Sequence, residues 1–257
     1  MPKTYLIMHK ARKRFGQNFL TDNRVIERIV AVIAPKFNDN LLEIGPGQGA
    51  MTLPLLEQVK KLNVIEIDRD LIALLIGFDK GNLVIHEGDA LKFDLGTLPN
   101  PIRVVGNLPY NISSPILFHL LENREKITDM TFMLQKEVVE RIVADKGSKI
   151  YGRLSVMIQA FFEAELIFIV PSESFNPAPK VDSAIIYLKP LPKTEVKNMA
   201  IFEKIVKASF AQRRKTLRNC LKLHLSQEQT AIDLSQRAEM LAVQDFITLS
   251  NDYEKQH

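Results

Sequence analysis

From Leu41 onward the apolar positions arrive in two rhythms. Leu41–Ile44, Leu62–Ile67, Leu83–His86, Ile102–Val105 and Met130–Leu134 are short, nearly continuous apolar runs, which reads as buried strand. Between them Ala50–Val59, Asp70–Phe78, Ser113–Leu121 and Lys136–Ala144 follow helical spacing. Pro54 and Pro115 fit those helices only in an opening turn, where a missing N–H costs nothing. Strands that alternate with helices across short loops predict an α/β fold: a mostly parallel sheet covered on both faces. Leu166–Val170 and Ala184–Leu188 supply two last strands, separated by a proline-bearing loop and expected to form a hairpin-like antiparallel edge. Lys189-Pro190-Leu191-Pro192 then reads as an extended linker, and the pattern beyond it is helical to the end. The expected organisation is a domain over 1–190 and a small all-helical domain over 191–257. No internal repeat is visible.

Composition narrows the class. The 257 residues are 46% apolar and 25% charged, which is globular usage and excludes a disordered or low-complexity chain. No apolar run approaches the roughly 18 residues of a membrane span, so no membrane partner is expected. Tyr5–Met8 is too short for the apolar region of a secretory signal. The lone Cys220 precludes an internal disulfide and fits a reducing, cytoplasmic setting. None of the five histidines stands at ligand-like spacing, so no metal is expected. Charge is unevenly placed. Residues 1–40 hold 8 basic and 3 acidic side chains, 41–190 hold 15 and 19, and 191–257 hold 11 and 8. Two basic ends around an acidic middle suggest a polyanion gripped by the ends.

Four motifs follow successive predicted strands. Glu43-Ile44-Gly45-Pro46-Gly47-Gln48-Gly49 is a glycine turn opening a helix, where the backbone can pass close to a ligand. Its third glycine comes one residue too early for the dinucleotide fingerprint, which disfavours a pyrophosphate cradle. Glu66 ends the second strand, 21 residues after Gly45, where a carboxylate can accept from a ribose diol. Gly88-Asp89-Ala90 follows the third strand, and Asp89 suits the exocyclic amine of an adenine. Asn107-Leu108-Pro109-Tyr110 follows the fourth. There an amide oxygen and a backbone carbonyl can accept both hydrogens of one planar amino group, Pro109 fixes the turn, and Tyr110 offers a face to a base. Extrusion of a base into such a pocket is how enzymes reach ring substituents.

These motifs, with Arg14-Phe15-Gly16-Gln17-Asn18-Phe19-Leu20, Leu134-Gln135-Lys136-Glu137, Tyr151-Gly152-Arg153-Leu154-Ser155 and the stretch Phe175–Ser183, resemble the ribosomal RNA adenine N6-dimethyltransferases. The likeness is nearest to their bacterial small-subunit (16S) branch, the one linked to kasugamycin sensitivity, and runs from about Lys13 to Leu221 with a looser match beyond. It implies a class I, Rossmann-like methyltransferase with a seven-stranded sheet, a helical C-terminal domain and S-adenosylmethionine as donor. It also implies roles for residues. Gln17, Asn18 and Leu20 line the methionine end of the donor, and Gly45, Gly47 and Gly49 pass beneath it. Glu66 holds the ribose, while Asp89 with Ala90 holds the adenine. Asn107 and the Leu108 carbonyl bind the target amine, and Tyr110 and Phe175 sandwich the target base. The implied partner is 16S rRNA in an assembling 30S subunit, with two adjacent loop adenines as targets and the enzyme acting as a monomer. Gln48, where an apolar residue is expected, and the stretch Met1–Met8 depart from the pattern.

RNA binding has its own signal. Lys204–Gln227 holds seven Lys and Arg residues and no acid. It is expected to form one amphipathic helix, with Val206, Phe210, Leu217 and Leu221 on the buried face and Lys207, Arg214, Lys215, Arg218 and Lys222 along a flank, Arg213 beside them. Lys10, Arg12, Lys13 and Arg14 form a second basic arm. Three other readings share parts of the pattern: a 23S rRNA methyltransferase of the macrolide-resistance type, an assembly factor in which catalysis is secondary, and a DNA adenine methyltransferase.

Overall fold

A computed structural model of the chain describes residues 17–256. Lys10, Arg12, Lys13, Arg14 and the stretch Met1–Met8 lie outside the described residues. The chain divides into two compact units, neither continuous in sequence. One runs to Lys136 and takes in Ile167–Tyr187; the other comprises Glu137–Leu166 and the chain from Leu188 on. The division therefore does not fall at the Lys189–Pro192 linker. The segment 137–166 groups with the C-terminal helices, a relation set by packing that composition along the chain does not reveal.

The elements are β1 (Phe19–Leu20), α1 (Asn23–Ile33), β2 (Leu41–Ile44), α2 (Thr52–Leu56), β3 (Leu62–Glu66), α3 (Arg69–Ile76), β4 (Leu83–Glu87), β5 (Ile102–Asn107), α4 (Ser113–Glu122), β6 (Ile127–Gln135), α5 (Lys136–Ile142), α6 (Arg153–Gln159), β7 (Phe162–Val170), β8 (Phe175–Asn176), β9 (Ser183–Pro190), α7 (Met199–Ser209), α8 (Leu217–Cys220) and α9 (Val243–Glu254). Seven strands form one sheet in the order β4-β3-β2-β5-β6-β9-β7. β2 pairs in parallel with β3 and β5, β3 with β4, and β5 with β6. Every residue of β2 and β3 is buried, as expected for strands covered on both faces. Pro54 and Pro115 both stand at the third helical position, in the opening turns of α2 and α4.

α1 and α6 are additions to the sequence-predicted elements. In α1, Val25, Ile29, Val30 and Ile33 form the buried stripe, and the Asp22 carboxylate caps the first turn through Arg24 and Val25. A second, two-stranded sheet joins β1 to β8 in antiparallel register, Leu20 opposite Phe175. It ties the chain just after Gln17 and Asn18 to the proline-bearing loop. At the far end of the sheet from the carboxyl tips, Arg103 near the start of β5 uses its guanidinium on Asp129 (2.9 Å), Asp39 (2.7 Å) and the carbonyls of Ile33 and Ala34.

The single amphipathic helix expected over Lys204–Gln227 is not formed. α7 ends at Ser209, a turn follows, and α8 restarts at Leu217. Backbone pairing overrides helical periodicity here: the N–H groups of Leu217 and Arg218 donate to the carbonyls of Gln236 and Leu234, both at 2.8 Å. Phe210, in the turn, stacks on Phe246 with ring centroids 5.4 Å apart. Val206, Leu217 and Leu221 are buried all the same. In this unit Ser155 ties α6 to α5, accepting from the Gly152 N–H at its own helix start and donating to the Arg141 carbonyl, which gives the Tyr151–Ser155 motif a packing role.

Candidate active site

Parallel strands bring their carboxyl ends to one edge, and a cleft opens there. Its wall is built from Gln17–Leu20, the turn after β2, the ends of β3 and β4, and Asn107–Ile112 after β5. Twelve of the predicted residues meet in it: Gln17, Asn18, Leu20, Gly45, Gly47, Glu66, Asp89, Ala90, Asn107, Leu108, Pro109 and Tyr110.

Glu66 is held firmly. It is 7% exposed; one carboxylate oxygen accepts from the N–H of Ile67 and of Asp68, both at 2.9 Å, and the other accepts from Gly47 N–H at 3.3 Å. Burial pushes its pKa up, and these three N–H donors pull against that rise. The second oxygen keeps acceptor capacity toward the cleft. Gly47 makes this possible because its φ of +57° is open to glycine, and a β-carbon there would lie 3.3 Å from the Phe19 ring. Asp89 spends one oxygen on the Leu91 N–H (3.0 Å), which leaves the other for a donor.

The Asn107 amide has a defined sense. Its Nδ2 donates to the Asn18 carbonyl at 3.2 Å, so Oδ1 is the end left for the cleft. Leu108 is buried, and its N–H is fixed on the Met133 carbonyl at 3.1 Å. The Pro109 carbonyl accepts from Ile112 N–H and from Ser113 Oγ, which anchors the turn on α4. Tyr110 Oη shares a 2.8 Å hydrogen bond with Ser183 Oγ. Burial raises the Tyr110 pKa, so the phenol stays neutral.

Two predicted residues do not reach the cleft wall. Gly49 turns inward at φ +85°, and a β-carbon on it would fall 2.7 Å from the Phe78 ring, so it serves packing. Phe175 is 4% exposed and joins the core beside Leu20, Val25 and Ile29, because its register against Leu20 turns the ring inward. Gln48, the expected departure, lines the cleft.

Two further wall residues carry only a faint signal in the sequence. Ile67 is 49% exposed, a large apolar side chain left open at the mouth of the cleft; its signal was an apolar residue directly after the strand-ending acid. Glu43 is wholly buried, and its signal was an acid inside an apolar strand. Among the described residues no group of three or more His, Cys, Asp or Glu gathers as for a metal ion.

In the other unit Lys207, Arg213, Arg214, Lys215, Arg218 and Lys222 are all exposed. Arg213 donates to the Lys149 carbonyl, which fixes the start of this basic run.

Residues 8–255 of the chain match the family of ribosomal RNA adenine dimethylases. The chain belongs to the ribosomal RNA adenine dimethylase family. The match runs past Leu221 and takes in the C-terminal helices. The chain is 53% identical to the ribosomal RNA small subunit methyltransferase A of Aromatoleum aromaticum over 249 residues, 95% of this chain and 94% of that one. Its counterpart in Chromohalobacter salexigens is 52% identical over 257 residues, covering 95% and 91%. Among solved structures, a dimethyladenosine transferase from Plasmodium falciparum is similar with a TM-score of 0.81 at 28% identity, covering 92% of this dimethylase and 98% of that chain. The 23S rRNA methyltransferase ErmE follows with 0.71 at 26% identity, covering 92% and 100%. The fold of this family member is thus the class I methyltransferase fold.

Proposed function

We propose that this dimethylase transfers methyl groups from S-adenosylmethionine to the N6 amines of two adjacent adenines in a hairpin loop near the 3′ end of 16S rRNA. The observation that carries the reading is the oriented amide of Asn107, set by the Asn18 carbonyl in the same cleft as Glu66 and Asp89. The higher identity to small-subunit enzymes than to the 23S enzyme favours 16S over 23S rRNA.

The residues present fit the donor. Glu66 and Asp89 each keep an acceptor for a ribose and an adenine amine, and Ile67 offers an apolar face between them. Gln17, Asn18 and Leu20 border the end where a methionine group would lie. The bound sulfonium supplies an electrophilic methyl group.

The remaining problem is the nucleophile, because the lone pair of an adenine N6 is delocalised into the ring. Asn107 Oδ1 and the Leu108 carbonyl, as two acceptors off the base plane, draw that amine toward tetrahedral geometry and localise the pair. Their contribution is positioning and preorganised electrostatics. Tyr110, pinned at its hydroxyl by Ser183, presents its ring to stack the extruded base. Phe175 completes a sandwich only if its ring leaves the core. The exposed cations from Lys207 to Lys222, together with the basic arm Lys10–Arg14, supply phosphate contacts. Unpaired loop bases are cheap to splay out, which suits such a pocket. The reading extends to a monomeric enzyme acting in the cytoplasm on an assembling 30S particle.

Labelled methyl transfer to unmethylated 30S and 50S particles, followed by nucleoside analysis, tests this. Label is expected in 30S RNA as N6,N6-dimethyladenosine. Label in 50S RNA, or in no adenosine, overturns the reading.

A further inference from the structure

The inner strand β2 carries a carboxylic acid where an apolar residue would serve the sheet. Glu43 has no solvent exposure. Its Oε2 accepts a 2.7 Å hydrogen bond from the hydroxyl of Thr52, itself fully buried at the start of α2. Its Oε1 has no hydrogen-bond partner among the described residues. Two structural reasons for such a group are missing. Among the described residues no cation pairs with it, and the glycine turn above it spends its Gly47 N–H on Glu66 instead. A buried carboxylate left like this is strongly disfavoured, so the acid holds a proton or awaits a positive charge.

Among the described residues the charged surroundings have one sign. On β3 the charged neighbour is Glu66, with Asp68 behind it, and repulsion from Glu66 adds to burial. On β5 the residue paired with Glu43 is Val105, and Asn107 beyond it is neutral. α2 and the glycine turn contribute no titratable side chain, and Gln17 to Leu20 add none. Burial first and Glu66 after it push the pKa of Glu43 up to about 7, against the pull of Thr52. Glu43 also belongs to the wall of the cleft in which the donor is placed.

We infer that Glu43 is a charge gauge for the methyl donor: its carboxyl keeps a proton without a cation in the cleft and releases it to solvent when the positively charged donor binds, so that fresh and spent donor are bound with different proton counts. This rests on the assignment of the cleft to S-adenosylmethionine. The balance is simple. The donor carries a net charge of +1, from sulfonium, ammonium and carboxylate. The spent S-adenosylhomocysteine has lost the sulfonium charge and is neutral overall. Binding the first exchanges a proton for a cation beside Glu43; binding the second does so less. The sign follows. Donor affinity rises with pH while Glu43 is protonated in the free protein, by up to about tenfold per pH unit below 7, and levels off above it. Affinity for the spent donor changes less, so release after transfer is favoured by the returning proton.

The test is calorimetric titration of the full chain with S-adenosylmethionine and with S-adenosylhomocysteine, at pH 6 to 8, in buffers of different ionisation enthalpy. The wild type is expected to release more protons with the charged donor than with the neutral product, and Glu43→Gln to remove that difference. Thr52→Val keeps the acid but deletes its hydrogen bond, and should move the pH midpoint upward. Infrared difference spectra of the wild type supply a readout free of substitution: a protonated-carboxyl band lost on donor binding and retained with the product. Equal proton release for both ligands, or an unchanged difference in Glu43→Gln, overturns the inference alone. Absence of donor binding to the wild type overturns the cofactor assignment and this inference with it.

Discussion

Replacing Asn107 with Ala removes two things that can be separated by measurement. One is the hydrogen bond from Nδ2 to the Asn18 carbonyl, an interaction of a half-buried amide with backbone. Such a bond contributes about 0.5–1.5 kcal/mol to stability, so the fold should survive with a small drop in melting temperature. The other is Oδ1, the acceptor left toward the cleft. Removing one preorganised group that acts on developing charge costs about 10²–10³ in kcat, or roughly 2.7–4 kcal/mol. RNA affinity should hardly change, because it is dominated by phosphate contacts made elsewhere. Single-turnover methyl transfer to unmethylated 30S particles, with RNA binding measured in parallel, separates these terms. Asn107→Asp sharpens the test: it keeps an acceptor but has no N–H for the Asn18 carbonyl, so the side chain loses its orientation and turnover should fall as well. Unchanged turnover in Asn107→Ala, or a loss explained wholly by weaker RNA binding, would refute the assignment.

Tyr110→Ala should slow transfer by the value of a base–aromatic stack, about 1–3 kcal/mol, whereas Tyr110→Phe keeps the ring, loses only the Ser183 contact and should cost less. Equal losses in the two variants would point to the hydroxyl and against stacking. Arg103→Met strands the Asp39 and Asp129 carboxylates and two carbonyls. About 3 kcal/mol of stability should be lost in denaturant titration, the low end for a buried pair because these side chains stay 11–18% exposed. Kinetic constants of the folded variant should be preserved, since the network lies at the far end of β5. Neutralising Arg214 and Arg218 together should lower the salt slope of RNA binding by about 2, one per phosphate contact; an unchanged slope would remove that face from the RNA interface.

Much of the sheet unit was legible because parallel strands buried on both faces are written as unbroken apolar runs. Leu41–Ile44 begins and ends where the sequence places it, and the order of strand-end motifs translates directly into one cleft. The departures have physical causes. β7 begins at Phe162, four residues before the predicted start, because Glu163 and Glu165 interrupt the apolar run while the backbone still pairs. α1 was hidden by the missing glycine or proline boundary before it; its start is marked by the Asp22 cap instead. The break between Ser209 and Leu217 could not be read from periodicity, since it depends on backbone pairing with residues 234–236. At the site, residues that project into the cleft were found by chemical type. Glu43 is not legible in the same way, because an acid in an inner strand has no local pattern, only burial that becomes visible once the strand is covered.

The central claim is geometric: the Asn107 amide oxygen receives the target amine at the same cleft that holds the donor. A crystal structure of the protein with an unreactive amine analogue of the donor and a short RNA bearing the target adenines tests it most directly. The account predicts the analogue's ribose on Glu66, its adenine amine on Asp89, and the N6 of a flipped adenine within hydrogen-bond distance of Asn107 Oδ1. An analogue seated away from these strand ends, or a target base that leaves Asn107 without contact, would contradict it.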